Sequence, residues 1–394
     1  MNHPSNIGDI ERTHWPVEID KSINLYLGNG RCGGCFDAYG LQHQDDRSPV
    51  ATRVARTWLA HGEVWHRGRH GLDTQVPLAR IRWDIPPTEP HHYRQHLELA
   101  AGRLTTEFAK EDFRYQLTAF TNPAAATRDL LFFHLTWEGS RRPGLLFAPV
   151  PVYSSDYSGD LTVDSIPSLA GGRATLDLRR GNSNGVALAH AIGDLLPVIS
   201  GDAVVFQLNA NSGTATIIVA LGPASRTAEL NVALDKAIAE SVDSLRITAE
   251  ASWLQRWGKS SFKIDNKDHH ALAWRSVYHL LCSYAPDVRC PAPPMGFTGT
   301  GWGYHFPQDL SYIHPALLQL GHSDITRAHV EFYHSRIDNQ RALTREIYGK
   351  PGVCWSWEFP IGPDARLFRL EDGGEPNAFQ FEVHNAAYPA RMAA

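Results

Sequence analysis

The chain has 394 residues, 43% of them hydrophobic and 20% charged, with a formal net charge of −5. That length and balance suit a globular protein of two or three domains with a large buried core. The mild acidity and the lack of any basic run argue against nucleic acid and membrane as partners.

The first residues, MNHPSNIGDIERTHW, carry no charged-then-apolar leader pattern, and no apolar run approaches the ~20 residues of a bilayer span. Five cysteines are too sparse and odd a set for a disulfide framework, so a cytoplasmic location is expected. Eleven tryptophans tilt the expectation towards carbohydrate binding, although large cores also use them.

From about residue 20 to 225 the chain reads as β. Leu97–Phe108, Phe113–Phe120, Asp129–Trp137, Ala174–Arg180, Val186–Ile192, Ala203–Asn209 and Thr214–Leu221 alternate or run apolar. Asn122-Pro123, Gly171-Gly172 and Gly181-Asn182 mark turns between them. Many short strands with regular turns predict an antiparallel sandwich, not an alternating α/β fold.

At Ser225 the period changes. Leu230, Leu234, Ile238, Val242, Leu245, Ala249 and Trp253 recur every three or four residues, which predicts one long amphipathic linker helix. Leu272–Tyr284 predicts an apolar, aromatic helix closed off by Pro291, Pro293 and Pro294. Ser311–Leu320 predicts another, ending at Gly321 as a left-handed cap. Ser323 or Asp324 is the expected cap of a helix running towards Tyr348. Residues 349–374 read as loop, and Phe379–Met392 as the start of a further helix.

Two glycine- and aromatic-rich stretches frame a candidate cleft. Gly296–Leu318, GFTGTGWGYHFPQDLSYIHPALL, runs from a glycine loop into a helical pattern. Gly352–Gly362, GVCWSWEFPIG, carries Glu358 between Trp357 and Phe359. Glycines let backbone approach a ligand closely, and flat rings with polar tips suit the faces and hydroxyls of a sugar. Core packing of the same rings is the bland alternative.

The order of sandwich, linker and helices resembles the six-hairpin glycosidases, and most closely family 65 glycoside hydrolases. These are the maltose, kojibiose and trehalose phosphorylases and related hydrolases. Leu27-Gly28-Asn29-Gly30 followed by Gly33 and Gly34 is similar to the opening of that family's sandwich. Gly303, Phe306, Pro315, Ala316 and Leu317 match a helical-domain segment; Gly352, Trp357 and Glu358 match a second; His384, Asn385 and Ala387 match a third. Two departures alter the sugar-gripping subsite. Pro307-Gln308 replaces a Trp-Asp pair with Asp309 one position late, and Trp355-Ser356 replaces Tyr-Pro.

The resemblance implies a sandwich over 1–224, a helical linker over 225–262 and part of an (α/α)6 barrel over 263–394. It also implies a general-acid glutamate and phosphate-binding loops beyond the helix that begins at His384. The chain reaches Ala394 about ten residues later, so a partial barrel is expected, with exposed apolar helix faces that favour a homodimer or poor solubility.

Glycoside hydrolysis uses two carboxyl groups, and the candidates are Asp309 and Glu358. Either can instead accept hydrogen bonds from sugar hydroxyls, the role that the resemblance implies for Glu358. Trp302, His305, Phe306, Gln308, Asp309, Trp355, Trp357, Glu358 and His384 are the candidate substrate-binding residues. Cys32-Gly33-Gly34-Cys35 lacks a second ligand pair, and the His91-His92 and His269-His270 pairs lack helical partners, so neither a metal nor another cofactor is expected. The expected activity is hydrolysis of an α-linked glucoside, or its phosphorolysis with inorganic phosphate as second substrate. The alternative is a non-catalytic carbohydrate-binding or scaffold protein that keeps the cleft.

Overall fold

The computed structural model of the chain describes residues 7–16, 23–43, 57–67, 73–150, 152–155, 159–162, 165–178, 185–288, 292–293, 296–297, 306–355 and 383–394. The N-terminal part is a two-layer antiparallel sandwich. A nine-stranded sheet has the order Ile10–Arg12, His92–Glu98, Arg103–Lys110, Phe113–Thr121, Leu130–Gly139, Ser212–Pro223, Gly185–Gly193, Arg173–Leu178 and Ser165–Ala170. A four-stranded sheet, Leu195–Ser200, Ala203–Leu208, Leu145–Ala148 and Arg80–Trp83, packs on it. The Trp83 ring meets Phe113 and Tyr115 across the layers, with centroids 5.6 and 5.2 Å apart.

The central strands look uniformly apolar in sequence because both of their faces are covered. Leu131, Phe133 and Leu135 pair with Val219, Ile217 and Ala215, and all six point into the sandwich core. The alternating residues Leu130, Phe132, Ile218 and Ala220 point outwards, onto Leu230, Leu234, Ala237, Leu245 and Ala249 of two helices. These helices, α1 (Thr227–Ile238) and α2 (Val242–Trp257), stand where one helix is expected. The break lies at Ser241, whose hydroxyl accepts the Ser244 N–H at 3.2 Å and starts α2 afresh. Leu97–Phe108 differs too: it is a hairpin turning at 99–102, where Gly102 has φ +56° beside the Trp253 indole.

Among the described residues five further α-helices follow: α3 (Lys267–Ser283), α4 (Pro307–Gln319), α5 (Ser323–His334), α6 (Ile337–Tyr348) and α7 (Ala387–Ala393). Gly321 closes α4 at φ +83°, as its sequence indicates. Neither Ser323 nor Asp324 caps α5; Asp324 instead pairs with Lys259 at 2.6 Å. The single helix expected to reach Tyr348 is split at Ser335, whose hydroxyl donates back to the Phe332 carbonyl at 2.6 Å. Helix α7 packs on α4 and α5.

The Leu27–Gly30 motif is the dock between the two halves. Strands Leu25–Gly28 and Cys32–Phe36 meet the C-terminal end of α3, and the Gly30 N–H donates to the Cys282 carbonyl at 2.8 Å. Asn29 ties the turn down, accepting from the backbone N–H groups of Arg31 and Cys32 at 3.0 Å each. Gly30 has φ +87°, and a Cβ there would sit 2.4 Å from the Tyr284 carbonyl oxygen. Gly30→Ala is therefore expected to cost roughly 2 kcal/mol from left-handed strain and overlap, read as a lowered urea midpoint.

Arg256, near the end of α2, locks the same junction. Its buried guanidinium donates to the carbonyls of Asn29 (2.9 Å), Leu281 (2.8 Å) and Tyr284 (3.4 Å). Burial pulls its pKa down to about 10, so it stays charged at neutral pH.

Candidate functional site

Helix α4 begins abruptly. Phe306 is extended, at φ −120° and ψ 114°, because the residue before a proline avoids helical angles. Pro307 then occupies the first helical position, where its missing N–H costs nothing. Both side chains are buried, so Phe306 anchors the helix start and offers little surface to a ligand.

Asp309 follows in the first turn, half-buried. Burial pushes its carboxyl above the ordinary aspartate value, while its own backbone N–H pulls the other way. Burial raises the phenol of Tyr284, the residue that closes α3, and the Asp309 charge raises it further. The Tyr284 ring is edge-on to His329, 5.2 Å between centroids, and His329 lies 6.5 Å from His314. Burial holds His314 below the ordinary imidazole value, and its Nδ1 has no hydrogen-bond partner among the described residues.

The remaining candidates divide between two places. Gln308 reaches one turn along α4, its Nε2 donating to the Tyr312 hydroxyl at 3.4 Å. The Tyr312 ring is 6.4 Å from Tyr388, which is itself edge-on to His384 at 5.8 Å. Gln308, Asp309 and His384 are thus gathered around the first turns of α4. Trp355 is elsewhere: it is 4% exposed and packs edge-on against Tyr333 of α5, 5.1 Å between centroids. Its ring packs in the helical core. Trp302, His305, Trp357 and Glu358 lie outside the described residues.

Sequence reading missed Tyr284, Tyr312 and Tyr388. For Tyr312 a signal existed, since a residue four positions after Gln308 on a helix lies directly over it. No such signal existed for the other two, which reach α4 only through tertiary packing. The Cys32/Cys35 pair is buried within a strand. Burial raises both thiols above their ordinary value, which suits inert packing rather than redox chemistry. Among the described residues no group of three or more His, Cys, Asp or Glu is placed to hold a metal ion.

Chemically, the start of α4 offers a partly desolvated carboxyl able to exchange a proton or bind a hydroxyl, and an exposed aromatic ring on Tyr312. No family model matches the chain, and no curated protein matches it in sequence. Solved structures do match. One described as "Putative kojibiose phosphorylase from human microbiome" aligns with a TM-score of 0.68 at 12% identity, over 92% of this chain and 53% of that one. A bacterial glucoamylase complexed with acarbose gives 0.48 at 10% identity, over 91% and 56%. An α-mannosidase of family GH92 from Bacteroides thetaiotaomicron gives 0.37 at 12%, over 64% and 39%. The last two scores are too low to carry an argument. The chain spans about half the length of the first two structures. The resemblance to family 65 and six-hairpin glycosidases read from the motifs is one of fold: the chain has the sandwich-and-helix fold of the kojibiose phosphorylase-like structure.

Proposed function

We propose that the chain belongs to a carbohydrate-active enzyme that cleaves an α-linked glucoside by hydrolysis or by phosphorolysis, with inorganic phosphate as the second substrate in the latter case. In this reading residues 1–224 are the sandwich, 225–262 the linker, and 263–394 part of an (α/α)6 barrel. The observation that carries it is Asp309, a half-buried carboxyl in the first turn of α4 whose pKa burial raises, in a chain folded like a kojibiose phosphorylase-like structure. Glu358 is the proposed second carboxylate. Four free thiols among the described residues agree with a reducing, cytoplasmic setting. No described helix is long and apolar enough to cross a membrane. Homodimerisation is part of the same reading, and a monomeric mass in light scattering would remove it.

The alternative is a non-catalytic carbohydrate-binding protein that keeps the cleft. Assays with kojibiose, maltose and trehalose, with and without phosphate, separate the readings. Asp309→Asn is expected to weaken sugar binding about 10- to 100-fold, the worth of one charged hydrogen bond. Release of glucose or glucose phosphate by the unmodified chain supports the enzyme. Binding without release supports the alternative, and absence of both removes the sugar site.

A further inference from the structure

We propose that Tyr312 and Tyr388 form the apolar wall on which a pyranose ring of the ligand lies, with Gln308 and Asp309 facing its hydroxyls; this rests on reading the start of α4 as a sugar site. Among the described residues most large aromatic side chains are buried. Among the described residues Tyr312, 60% exposed, is the one aromatic among the exposed large hydrophobics. An isolated exposed ring would need no explanation, but this one is held in place. The Gln308 amide donates to its hydroxyl at 3.4 Å, and its ring stands 6.4 Å from that of Tyr388 at an interplanar angle of 58°. Tyr388 is in turn edge-on to His384, at 5.8 Å and 89°. Two rings inclined to each other on neighbouring helices therefore stand beside the Gln308 amide, with Asp309 three residues before Tyr312 on α4.

That combination selects among ligand chemistries. A purely apolar partner would leave Gln308 and Asp309 desolvated without hydrogen bonds, which is costly. An anion would meet the Asp309 carboxylate, which repels it. A pyranose satisfies both sides, because its C–H face is apolar and its rim carries neutral hydroxyls that donate to a carboxylate and exchange hydrogen bonds with an amide. The wall lies one turn along α4 from Asp309, so the ring on it adjoins the sugar unit that the carboxyl contacts.

Calorimetric titration of kojibiose, maltose and trehalose into the full chain tests this, with Tyr312→Ala, Tyr312→Phe and Tyr388→Leu compared. Tyr312→Ala and Tyr388→Leu are expected to raise Kd about tenfold, the upper part of the range for aromatic contacts. Tyr312→Phe, which keeps the ring, should bind within about threefold of the unmodified chain. Circular dichroism and urea midpoints matching the parent confirm that Tyr312→Ala, at an exposed position, has not lost its fold. If the parent binds a sugar and both ring-removing variants bind it equally well, the wall is wrong and the Asp309 site stands. If Asp309→Asn also leaves that binding unchanged, the sugar sits elsewhere and both assignments fall. Absence of binding by the parent to all three sugars overturns the wall together with the sugar site.

Discussion

Arg256→Met is expected to destabilise the protein by about 3–5 kcal/mol, because it strips donors from three buried carbonyl groups at once. Those carbonyls belong to Asn29 of the sandwich turn and to Leu281 and Tyr284 at the end of α3. One guanidinium thus closes the joint between the two halves and holds the backbone of Tyr284, whose phenol responds to the Asp309 charge. Methionine fills most of the volume, so the loss reflects unsatisfied carbonyls rather than a cavity. Arg256→Lys should recover little, since an ammonium is a compact charge without the planar fork that reaches diverging acceptors. Urea unfolding followed by tryptophan fluorescence checks this directly, because Trp253 and Trp257 pack in the same core. A midpoint unchanged in Arg256→Met would show that the joint does not depend on this side chain.

Asp129→Asn should cost a similar amount, about 3–5 kcal/mol, by leaving buried cations without their counter-charge. Arg31 and Asp129 have side chains only 3% and 9% exposed, and they form an ion pair. His61 Nε2 donates to the same carboxylate at 2.9 Å, its Nδ1 accepts the Glu63 N–H at 3.0 Å, and Arg226 reaches the second oxygen at 3.2 Å. Burial alone would raise the Asp129 pKa. The hydrogen bond from neutral His61 and the charge and hydrogen bond of Arg31 outweigh it, and the carboxyl is held well below its ordinary value of 3.8. Its folded pKa lies below the unfolded one, so its stabilisation is complete above the unfolded value and disappears as pH falls towards the folded one. The parent should therefore lose stability as pH drops below about 4, with the Asp129 contribution missing from the Asn variant. Equal acid sensitivity in the two proteins would contradict this.

The sandwich was legible where burial imposes a period. Strands 130–139, 185–193 and 212–223 are covered on both faces, and their apolar runs announce them. The strand Ser165–Ala170, at a sheet edge and with every second residue exposed, has no such signal. Helix breaks were hidden for a related reason. Apolar spacing continues across Ser241 and Ser335 because both flanking helices pack on the same layers, so only a hydroxyl hydrogen bond marks each boundary. The Leu27–Gly30 motif was visible, but its purpose, letting α3 approach the turn within hydrogen-bonding distance, is a tertiary fact. At the site, Asp309 and Gln308 stood out because a glycine-rich stretch runs directly into a helix. Tyr284 and Tyr388 did not, since 25 and 79 residues of chain separate them from Asp309.

A crystal structure of the chain grown with kojibiose should show the sugar against the first turns of α4, with the Asp309 carboxylate within hydrogen-bonding distance of a hydroxyl and a pyranose face on Tyr312 or Tyr388. A sugar bound elsewhere at saturating concentration, with the start of α4 empty, would contradict a sugar site there.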